Sequence, residues 1–190
     1  MRVTLVDSTQ SPEIVIGHAA AICYDADTED FACVKRARQC KDKGHLATMR
    51  FAYATVKIEG ISRVCSHQLV RVAHAGILQR SQRYCRETNI KFVQPDAFQH
   101  VPIPLQQRID ALETEARELY GEMITQGVRK EDARYILPQS CTTELVVTMN
   151  FQGWQDWLKN RADKAAQWEI REVALEVRYL LRMIAPGLFL

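Results

Sequence analysis

The stretch TMRFAYATVKI, residues 48–58, decides the fold because its side chains alternate between two faces of an extended segment. The first face carries Met49, Phe51, Tyr53 and Thr55, and the second carries Ala52, Ala54, Val56 and Ile58. Both faces are largely apolar, and this pattern is typical of a strand that is covered on both sides. The stretch therefore predicts a central strand, and we expect Gly60 to end it.

Helix and strand patterns follow one another in mixed order along the rest of the chain, which predicts an α+β fold. Further strands are predicted at residues 3–8 and 142–150. Helices are predicted at residues 11–23, 30–43, 61–72, 105–125, 131–138, 154–161 and 166–184. The helices at 105–125 and 166–184 carry apolar stripes at helical spacing, which suit either a core or a subunit contact.

Composition is that of an ordinary globular protein. The 190-residue chain is 47% hydrophobic and 25% charged, so we predict one domain over residues 1–190. A formal net charge of +2 gives no reason to expect a nucleic-acid partner. The N-terminus lacks the apolar region of a signal peptide, and no apolar run reaches the roughly 20 residues of a membrane span.

Cysteine usage points to a reducing compartment. The six cysteines are scattered without a C-x-x-C pair, and carboxylates and histidines never fall at a recognised metal-binding spacing. These features predict reduced thiols, no metal site and a cytoplasmic location.

Polar chemistry is concentrated in SHQLVRVAHAGILQRSQRYC, residues 66–85. The segment starts with a helical pattern, breaks near Gly76 and then sets Arg80, Ser81 and Arg83 in one short run. Guanidinium groups pair with phosphate oxygens, and side-chain amides hydrogen-bond to the edges of heterocycles. The segment is therefore a candidate binding site for a phosphate and a polar ring.

Two more arginines lie beside apolar runs. Arg134 precedes residues 136–138, and Arg161 stands at a helix junction within NRADKAAQWEIR, residues 160–171. Arginines in such places either lie along the surface or clamp an anion. Taken singly, each leaves both interpretations open.

Four motifs together resemble the flavin-dependent thymidylate synthase family: SHQLVR (66–71), SQRY (81–84), ARYILP (133–138) and RADKAAQWEI (161–170). The resemblance covers nearly the whole chain. It implies a single domain with a central, mostly antiparallel sheet flanked by helices, in a homotetramer whose active sites are shared between subunits. It also implies the C5-methylation of dUMP to dTMP, with methylenetetrahydrofolate as carbon donor, FAD as relay and NADPH as reductant. No enzyme cysteine attacks the pyrimidine in this family.

Motif position also implies the site residues. Those expected to bind the pyrimidine nucleoside monophosphate are Gln68, Gln79, Arg80, Ser81, Arg83, Arg134 and Arg161. Arg83 and Arg134 suit the phosphate. Arg161 would neutralise charge that develops on the uracil ring. Ser81 would donate a hydrogen bond near the phosphate and base instead of acting as a nucleophile. Arg161 and Ser81 are the predicted catalytic residues. The residues expected to bind flavin are His45, Arg71, His74 and Asn150.

The chain is a divergent match, because it has RVAHAG at residues 71–76 where the family signature is Arg-His-Arg-x-x-Ser. Val72, Ala73 and Gly76 replace the signature's His, second Arg and Ser. Losing one guanidinium removes a charge-assisted hydrogen bond of roughly 1.5–3 kcal/mol.

Replacement cations are available elsewhere in the chain. Arg50 stands where the family often has the glutamate of a Glu-His pair, and we expect Arg50, Arg80 or His74 to compensate if the cofactor lies differently. Three functions therefore stay open. The first is the standard dUMP methylase. The second is a UMP or dUMP C5-methylase of a nucleoside-antibiotic or phage base-modifying pathway. The third is a nucleotide-binding homologue that has lost flavin chemistry.

Overall fold

A four-stranded antiparallel sheet lies at the centre of the computed structural model, which describes residues 1–189. Its strands are β1 (Arg2–Ser8), β2 (Tyr53–Ser62), β3 (Gly76–Gln79) and β4 (Thr142–Asn150), in the spatial order β1-β2-β4-β3. Strand β2 is thus an interior strand, as its sequence pattern predicts. The predicted α+β fold with a mostly antiparallel sheet is confirmed.

Each predicted helix has a counterpart. The α-helices are α1 (Pro12–Ala21), α2 (Asp30–Asp42), α3 (Arg63–Leu69), α4 (Ile103–Thr125), α5 (Lys130–Ala133), α6 (Phe151–Arg161) and α7 (Trp168–Ile184). Short 3-10 helices occur at Ile22–Tyr24, Leu46–Phe51, Asp96–His100 and Arg134–Ile136. Within residues 1–189, none of the helices combines the length and apolar character that a bilayer crossing requires.

The chain divides into two compact units. Unit 1 comprises Met1–Ile58, Leu69–Leu78 and the chain from Leu145 onward, and unit 2 comprises Glu59–Gln68 and Gln79–Glu144. The boundaries between the units fall within β2, α3, β3 and β4. The assignment of residues 1–190 to one domain stays a prediction.

Strand β2 differs from its prediction in three respects. Ala54, Val56 and Ile58 are fully buried, but Thr55 is only half-buried and Tyr53 is exposed, so coverage on both faces is wrong for the single chain. Residues 48–51 belong to the 3-10 helix instead of the strand, which starts at Tyr53. Gly60 does not end β2 either. Its φ of 71° lies in the left-handed region, which glycine adopts without a steric penalty, so the strand continues to Ser62.

The sequence Ser11-Pro12-Glu13 predicts a helix that the Ser11 hydroxyl caps, and this detail is wrong. Ser11 has a φ of 46°, and its side chain makes no capping bond. Its backbone carbonyl accepts from Ile14 and Val15 instead. A strand that the sequence pattern did not predict, β3, begins at Gly76 and pairs with β4.

The two long apolar stripes have different surroundings. In α7, Val173, Val177 and Leu181 are fully buried within unit 1. In α4, which belongs to unit 2, Leu105 is 44% exposed and Leu112 is 63% exposed. The stripe of α7 is therefore core, whereas much of the stripe of α4 is open to solvent in the single chain.

Close packing of α1 on α2 depends on a glycine. A Cβ atom built on Gly17 would lie 1.9 Å from the carbonyl oxygen of Cys33, which is backbone and cannot rotate away. Arg36 strengthens the same contact, because its guanidinium donates to the Gly17 carbonyl oxygen at 3.2 Å.

We expect Gly17→Ala to lower the free energy of unfolding by about 1–3 kcal/mol, the usual cost of overpacking a core. Gly121→Ala is the matched control, because a Cβ at this site in α4 meets nothing within 4 Å. That substitution should be neutral or should stabilise by roughly 0.5–1 kcal/mol, because alanine favours helix over glycine. Urea denaturation followed by circular dichroism measures both. Equal stabilities for the two variants would contradict the packing argument.

Candidate active site

A tight turn at residues 81–85 gathers several of the predicted substrate residues in unit 2. The Ser81 carbonyl oxygen accepts from the backbone N–H of Tyr84 at 3.2 Å and of Cys85 at 2.9 Å. The Ser81 hydroxyl accepts from the backbone N–H of Arg83 at 3.2 Å, as serine often does in turns. The hydroxyl proton of Ser81 is not used by that bond, so it stays available to donate to a ligand.

Arg83 projects from this turn and is held by a carboxylate. Its Nε donates to Glu131 Oε2 at 3.0 Å, and its guanidinium carbon lies 5.7 Å from the centroid of the Tyr84 ring. The hydrogen bond with Glu131 raises the pKa of Arg83, and the same bond lowers the pKa of Glu131. The side chains of Arg83 and Glu131 are 56% and 34% exposed, so solvent screens the pair and an incoming anion can replace the carboxylate.

Helix α5 and the 3-10 helix that follows it place Arg134 beside Glu131. Lys130 Nζ donates to the Tyr84 carbonyl oxygen at 2.6 Å, which fastens the start of α5 to the turn. Arg134 Nε donates to the Glu131 backbone carbonyl oxygen at 3.1 Å, and Arg129 Nη1 lies 3.6 Å from Glu131 Oε1. Glu131 therefore contacts Arg83 and Arg129 through its carboxylate and Arg134 through its backbone carbonyl.

Gln79, at the end of β3, has a fixed amide orientation. Its Nε2 donates to Ser66 Oγ at 3.0 Å and to Thr143 Oγ1 at 3.1 Å. Ser66 Oγ itself donates to the Arg63 carbonyl oxygen at 3.1 Å, so this hydroxyl can only accept from Gln79. Both N–H groups of the amide are thus used, and Gln79 Oε1 is the group left to accept a hydrogen bond.

Arg80 has a different environment from Arg83. Its Nε lies 3.2 Å from Glu87 Oε1 and its Nη1 lies 3.4 Å from Glu144 Oε1, and the hydrogen bond with Glu87 raises the pKa of Arg80. The side chain of Glu87 is only 8% exposed, and Tyr120 Oη accepts from its backbone N–H. Arg80 and its two carboxylates line a cavity of about 280 Å³. Displacing them with an anion is costlier than displacing Glu131, because Glu87 is buried.

A second cavity, of about 490 Å³, lies within unit 1. We call it the unit 1 cavity; its lining residues are Arg50, Val72, Ala73, His74, Asn150, Gln152, Gly153 and Asp156. It brings together two predicted flavin residues, His74 and Asn150, whose positions are far apart in the chain. Its volume falls within the roughly 300–1,000 Å³ of small-molecule sites.

The walls of the unit 1 cavity are held by hydrogen bonds. Asn150 caps α6, because its Oδ1 accepts from the backbone N–H of Gly153 at 2.8 Å. Arg50 Nε donates to Gln152 Oε1 at 2.8 Å. His74 has a φ of 61°, which is uncommon for a residue with a side chain and marks a sharp turn just before β3.

Gly76, in the signature segment, faces the neighbouring strand at close range. A Cβ atom at this position would lie 2.7 Å from Cγ2 of Thr148 in β4. The Thr148 hydroxyl is also bonded to Thr55, whose Oγ1 lies 2.9 Å away. The absence of a side chain at residue 76 thus allows β3 to lie close to β4.

The remaining predicted site residues are placed separately. His45 lines another cavity of unit 1, of about 220 Å³, with Arg36 and Lys43 among its neighbours, so it does not share the cavity of His74 and Asn150. Arg71 is exposed just after α3. Arg161 is the last residue of α6 in unit 1, and Gln68 lies in α3 in unit 2. The roles of all these residues stay predictions.

Sequence reasoning missed the residues that hold the predicted ones. Glu131 is the main example: it lies 48 positions from Arg83, and nothing near either residue indicates the pairing. Ser66 and Thr143, which orient Gln79, and Gln152, which orients Arg50, were missed for the same reason. One signal was present, because Glu131 lies one helical turn before Arg134.

The cysteines are free thiols, and burial makes one of them a poor nucleophile. Cys141 is 1% exposed, and burial raises the pKa of its thiol, although Gln82 Nε2 donates to its sulfur at 3.6 Å. Cys23 is exposed, whereas Cys33, Cys40 and Cys65 are buried. A thiol with a raised pKa is almost wholly protonated at neutral pH, so Cys141 is unsuited to attack a pyrimidine.

We expect iodoacetamide at pH 7.5 to alkylate Cys23 first and to leave Cys141 unmodified in the folded protein. The reason is that alkylation requires an accessible thiolate, which Cys141 lacks. Peptide mapping by mass spectrometry over a time course measures the order. Addition of urea is the control, because unfolding should expose all the thiols equally. Early modification of Cys141 without urea would contradict the assignment.

Comparisons with known proteins identify the family of this chain. The chain matches the family described as "Thymidylate synthase complementing protein" over residues 4–187. It is 40% identical over 186 residues to a flavin-dependent thymidylate synthase of Pyrococcus furiosus, covering 92% of this chain and 76% of the relative. It is 33% identical over 199 residues to one of Geobacter sulfurreducens, covering 100% of this chain and 85% of the relative.

These matches extend over nearly the whole chain, and the prediction of an enzyme is confirmed. The chain belongs to the flavin-dependent thymidylate synthase family.

Proposed function

We propose that the protein methylates C5 of dUMP to give dTMP, with FAD as cofactor and with methylenetetrahydrofolate and NADPH as co-substrates. The observation that carries this proposal is the contact of Arg83 and Arg134 with one half-buried residue, Glu131, in the unit that also holds the oriented Gln79 amide. Family membership supports flavin-dependent methylation in general. The six free cysteines support a reducing, cytoplasmic location.

The phosphate of the nucleotide is proposed to bind at Arg83 and Arg134. Guanidinium forks match phosphate oxygens, and two of them supply both charge and direction. Glu131 holds Arg83 by a hydrogen bond in the free protein. A phosphate that carries more charge than a single carboxylate would replace Glu131 with little loss, because solvent screens this partly exposed pair. Ser81 lies in the same turn and would donate its remaining proton to the phosphate or base.

The uracil ring is proposed to be read by Gln79. Its Oε1 is the amide group left to accept a hydrogen bond, and N3 of uracil carries a proton that it can donate. Cytosine has an acceptor at the same ring position, so two acceptors would face each other and one would stay unpaired. That mismatch selects uracil over cytosine. Arg161 is proposed to stabilise negative charge that develops on the ring during methyl transfer.

The unit 1 cavity fits part of a flavin dinucleotide. Its donors are the Arg50 guanidinium and the Asn150 and Gln152 amides, with the His74 imidazole beside them, and Val72 and Ala73 add apolar surface for a ring. These groups suit a ligand with both anionic and heteroaromatic parts. When bound, FAD would supply the redox and one-carbon relay chemistry that protein side chains lack. Arg71 and His45 are the other proposed flavin residues.

We propose a homotetramer with shared active sites as the working assembly. The open apolar stripe of α4 supports it, because Leu105, Leu112 and Leu119 remain 44%, 63% and 39% exposed in the single chain. An apolar helix face of this size is a typical surface for contact with a partner.

Two other functions keep a specific observation in their favour. Val72 and Ala73, which replace the signature's His and Arg, line the unit 1 cavity and bring no charge to it. A low affinity for flavin is what we expect of a nucleotide-binding homologue that has lost flavin chemistry. The same two replacements favour the other candidate, a divergent C5-methylase of UMP or dUMP in a nucleoside-antibiotic or phage base-modifying pathway, because they change the family's usual pocket.

The decisive test is a titration of purified protein with FAD, with and without dUMP, followed by flavin absorbance and fluorescence. We expect a saturable signal and NADPH oxidation that dUMP stimulates. Methylation of dUMP and of UMP with methylenetetrahydrofolate is then compared in parallel. Binding of dUMP without any flavin signal would establish the non-enzymatic alternative, and a clear preference for UMP would replace dUMP as the substrate.

We expect Arg83→Ala to weaken dUMP binding about tenfold to a hundredfold, because a charge-assisted hydrogen bond to the phosphate is lost. Glu131→Gln should act in the opposite direction and tighten dUMP roughly two- to fivefold, because the competing carboxylate is removed. Isothermal titration calorimetry measures both changes. Arg108→Ala, at an exposed arginine of α4 in the same unit, is the control and should bind dUMP as the wild type does. Unchanged affinity in Arg83→Ala would remove this residue from the phosphate site.

A further inference from the structure

Arg50 brings positive charge to the unit 1 cavity from outside the family signature. Arg50 lies in the last turn of the 3-10 helix Leu46–Phe51, whereas Ala73 lies in the turn before β3. Both residues nevertheless line the same cavity. Among the residues that line it, Arg50 is the only arginine or lysine. An anion in this cavity would therefore find its guanidinium partner at residue 50.

The Arg50 side chain is oriented but not neutralised. Its Nε donates to the neutral amide of Gln152 at 2.8 Å. Within residues 1–189, Arg50 makes no ion pair, although the carboxylate of Asp156 lines the same cavity. The two terminal nitrogens of the guanidinium thus keep their donors for a ligand. This differs from Arg80 and Arg83 of unit 2, which are both paired with carboxylates.

The backbone around Arg50 and Gln152 is fixed as well. The backbone N–H of Phe151 donates to the Ala52 carbonyl oxygen at 2.8 Å, which joins the start of α6 to the residues just after the 3-10 helix. Asn150 caps the same helix through Gly153. Arg50 and Gln152 are each within two residues of the backbone hydrogen bond between Phe151 and Ala52. That bond therefore fixes the backbone on which both side chains stand. Little ordering entropy remains to be lost when an anion binds.

We propose that Arg50 binds the pyrophosphate of FAD in the unit 1 cavity and thereby supplies, from a different element, the positive charge that Ala73 lacks. This inference rests on the proposed flavin function and assigns its phosphate anchor. A bidentate guanidinium contact matches two phosphate oxygens, and the neutral Gln152 holds the fork without competing for it. The cavity thus keeps a positive charge, which comes from residue 50 instead of residue 73.

The test compares three flavins that differ only in their phosphates: FAD, FMN and riboflavin. Each is titrated against wild-type protein, Arg50→Gln and Arg50→Lys, with flavin fluorescence as the signal. We expect Arg50→Gln to weaken FAD about tenfold to a hundredfold and FMN by less, and to leave riboflavin unchanged. Arg50→Lys keeps the charge but not the fork, so its loss should be intermediate.

A relocation variant gives the sharpest result. Ala73 is exposed, so Ala73→Arg can be accommodated, and in the Arg50→Gln background it should restore much of the lost FAD affinity. Arg182→Gln, at an exposed arginine of α7 in the same unit, is the matched control and should not change any of the three affinities. Thermal unfolding by circular dichroism verifies that each variant folds.

The outcomes separate this inference from the proposed function. If wild-type protein binds FAD and the Arg50→Gln variant binds it equally well, the Arg50 assignment alone is overturned. A loss of the same size for riboflavin and FAD would also overturn it, because the effect would not involve phosphate. A loss of dUMP affinity in place of FAD affinity would assign Arg50 to the substrate's phosphate instead. Wild-type protein that binds no flavin would overturn both proposals.

Discussion

The start of helix α6 against strand β2 is the joint on which the candidate cofactor cavity depends. Two donors of α6 reach carbonyl oxygens at or beside the beginning of β2: the backbone N–H of Phe151 bonds Ala52 at 2.8 Å, and the indole of Trp154 bonds Ala54 at 3.0 Å. Trp154 is 1% exposed, so its N–H has no access to solvent and requires this partner. The Asn150 cap, the position of Gln152 and the orientation of Arg50 all follow from where this helix begins.

The two units hold their arginines by different means, and the difference suits different ligands. In unit 2, Arg83 is held by a half-buried carboxylate, which we propose that a more highly charged phosphate replaces. In unit 1, Arg50 is kept in place by a neutral amide that does not compete for an anion. A substrate that must enter and leave in every cycle is served by the exchangeable pair. A cofactor that stays bound is better served by a guanidinium with no resident anion.

Strong periodicity made much of the fold predictable. Strand β4 was predicted at its observed bounds, because seven of the nine residues from Thr142 to Asn150 are β-branched or apolar. Residues 48–51 were misassigned because their alternation continues that of β2, although their backbone forms a 3-10 helix. Gly60 misled for a related reason, since a glycine can bend a strand without ending it. In the site, the arginines were visible from motif order, but Glu131 and Gln152 were not, because only the fold brings them to their partners.

The close approach at Gly76 has a consequence for how this sequence could have diverged. Restoring the signature serine there would drive its Cβ toward Thr148, whose hydroxyl is already engaged with Thr55. A serine at residue 76 would therefore require the Thr148 side chain to shift and its bond with Thr55 to adjust. The residues allowed at positions 76 and 148 are thus coupled, which is a case of epistasis between neighbouring strands.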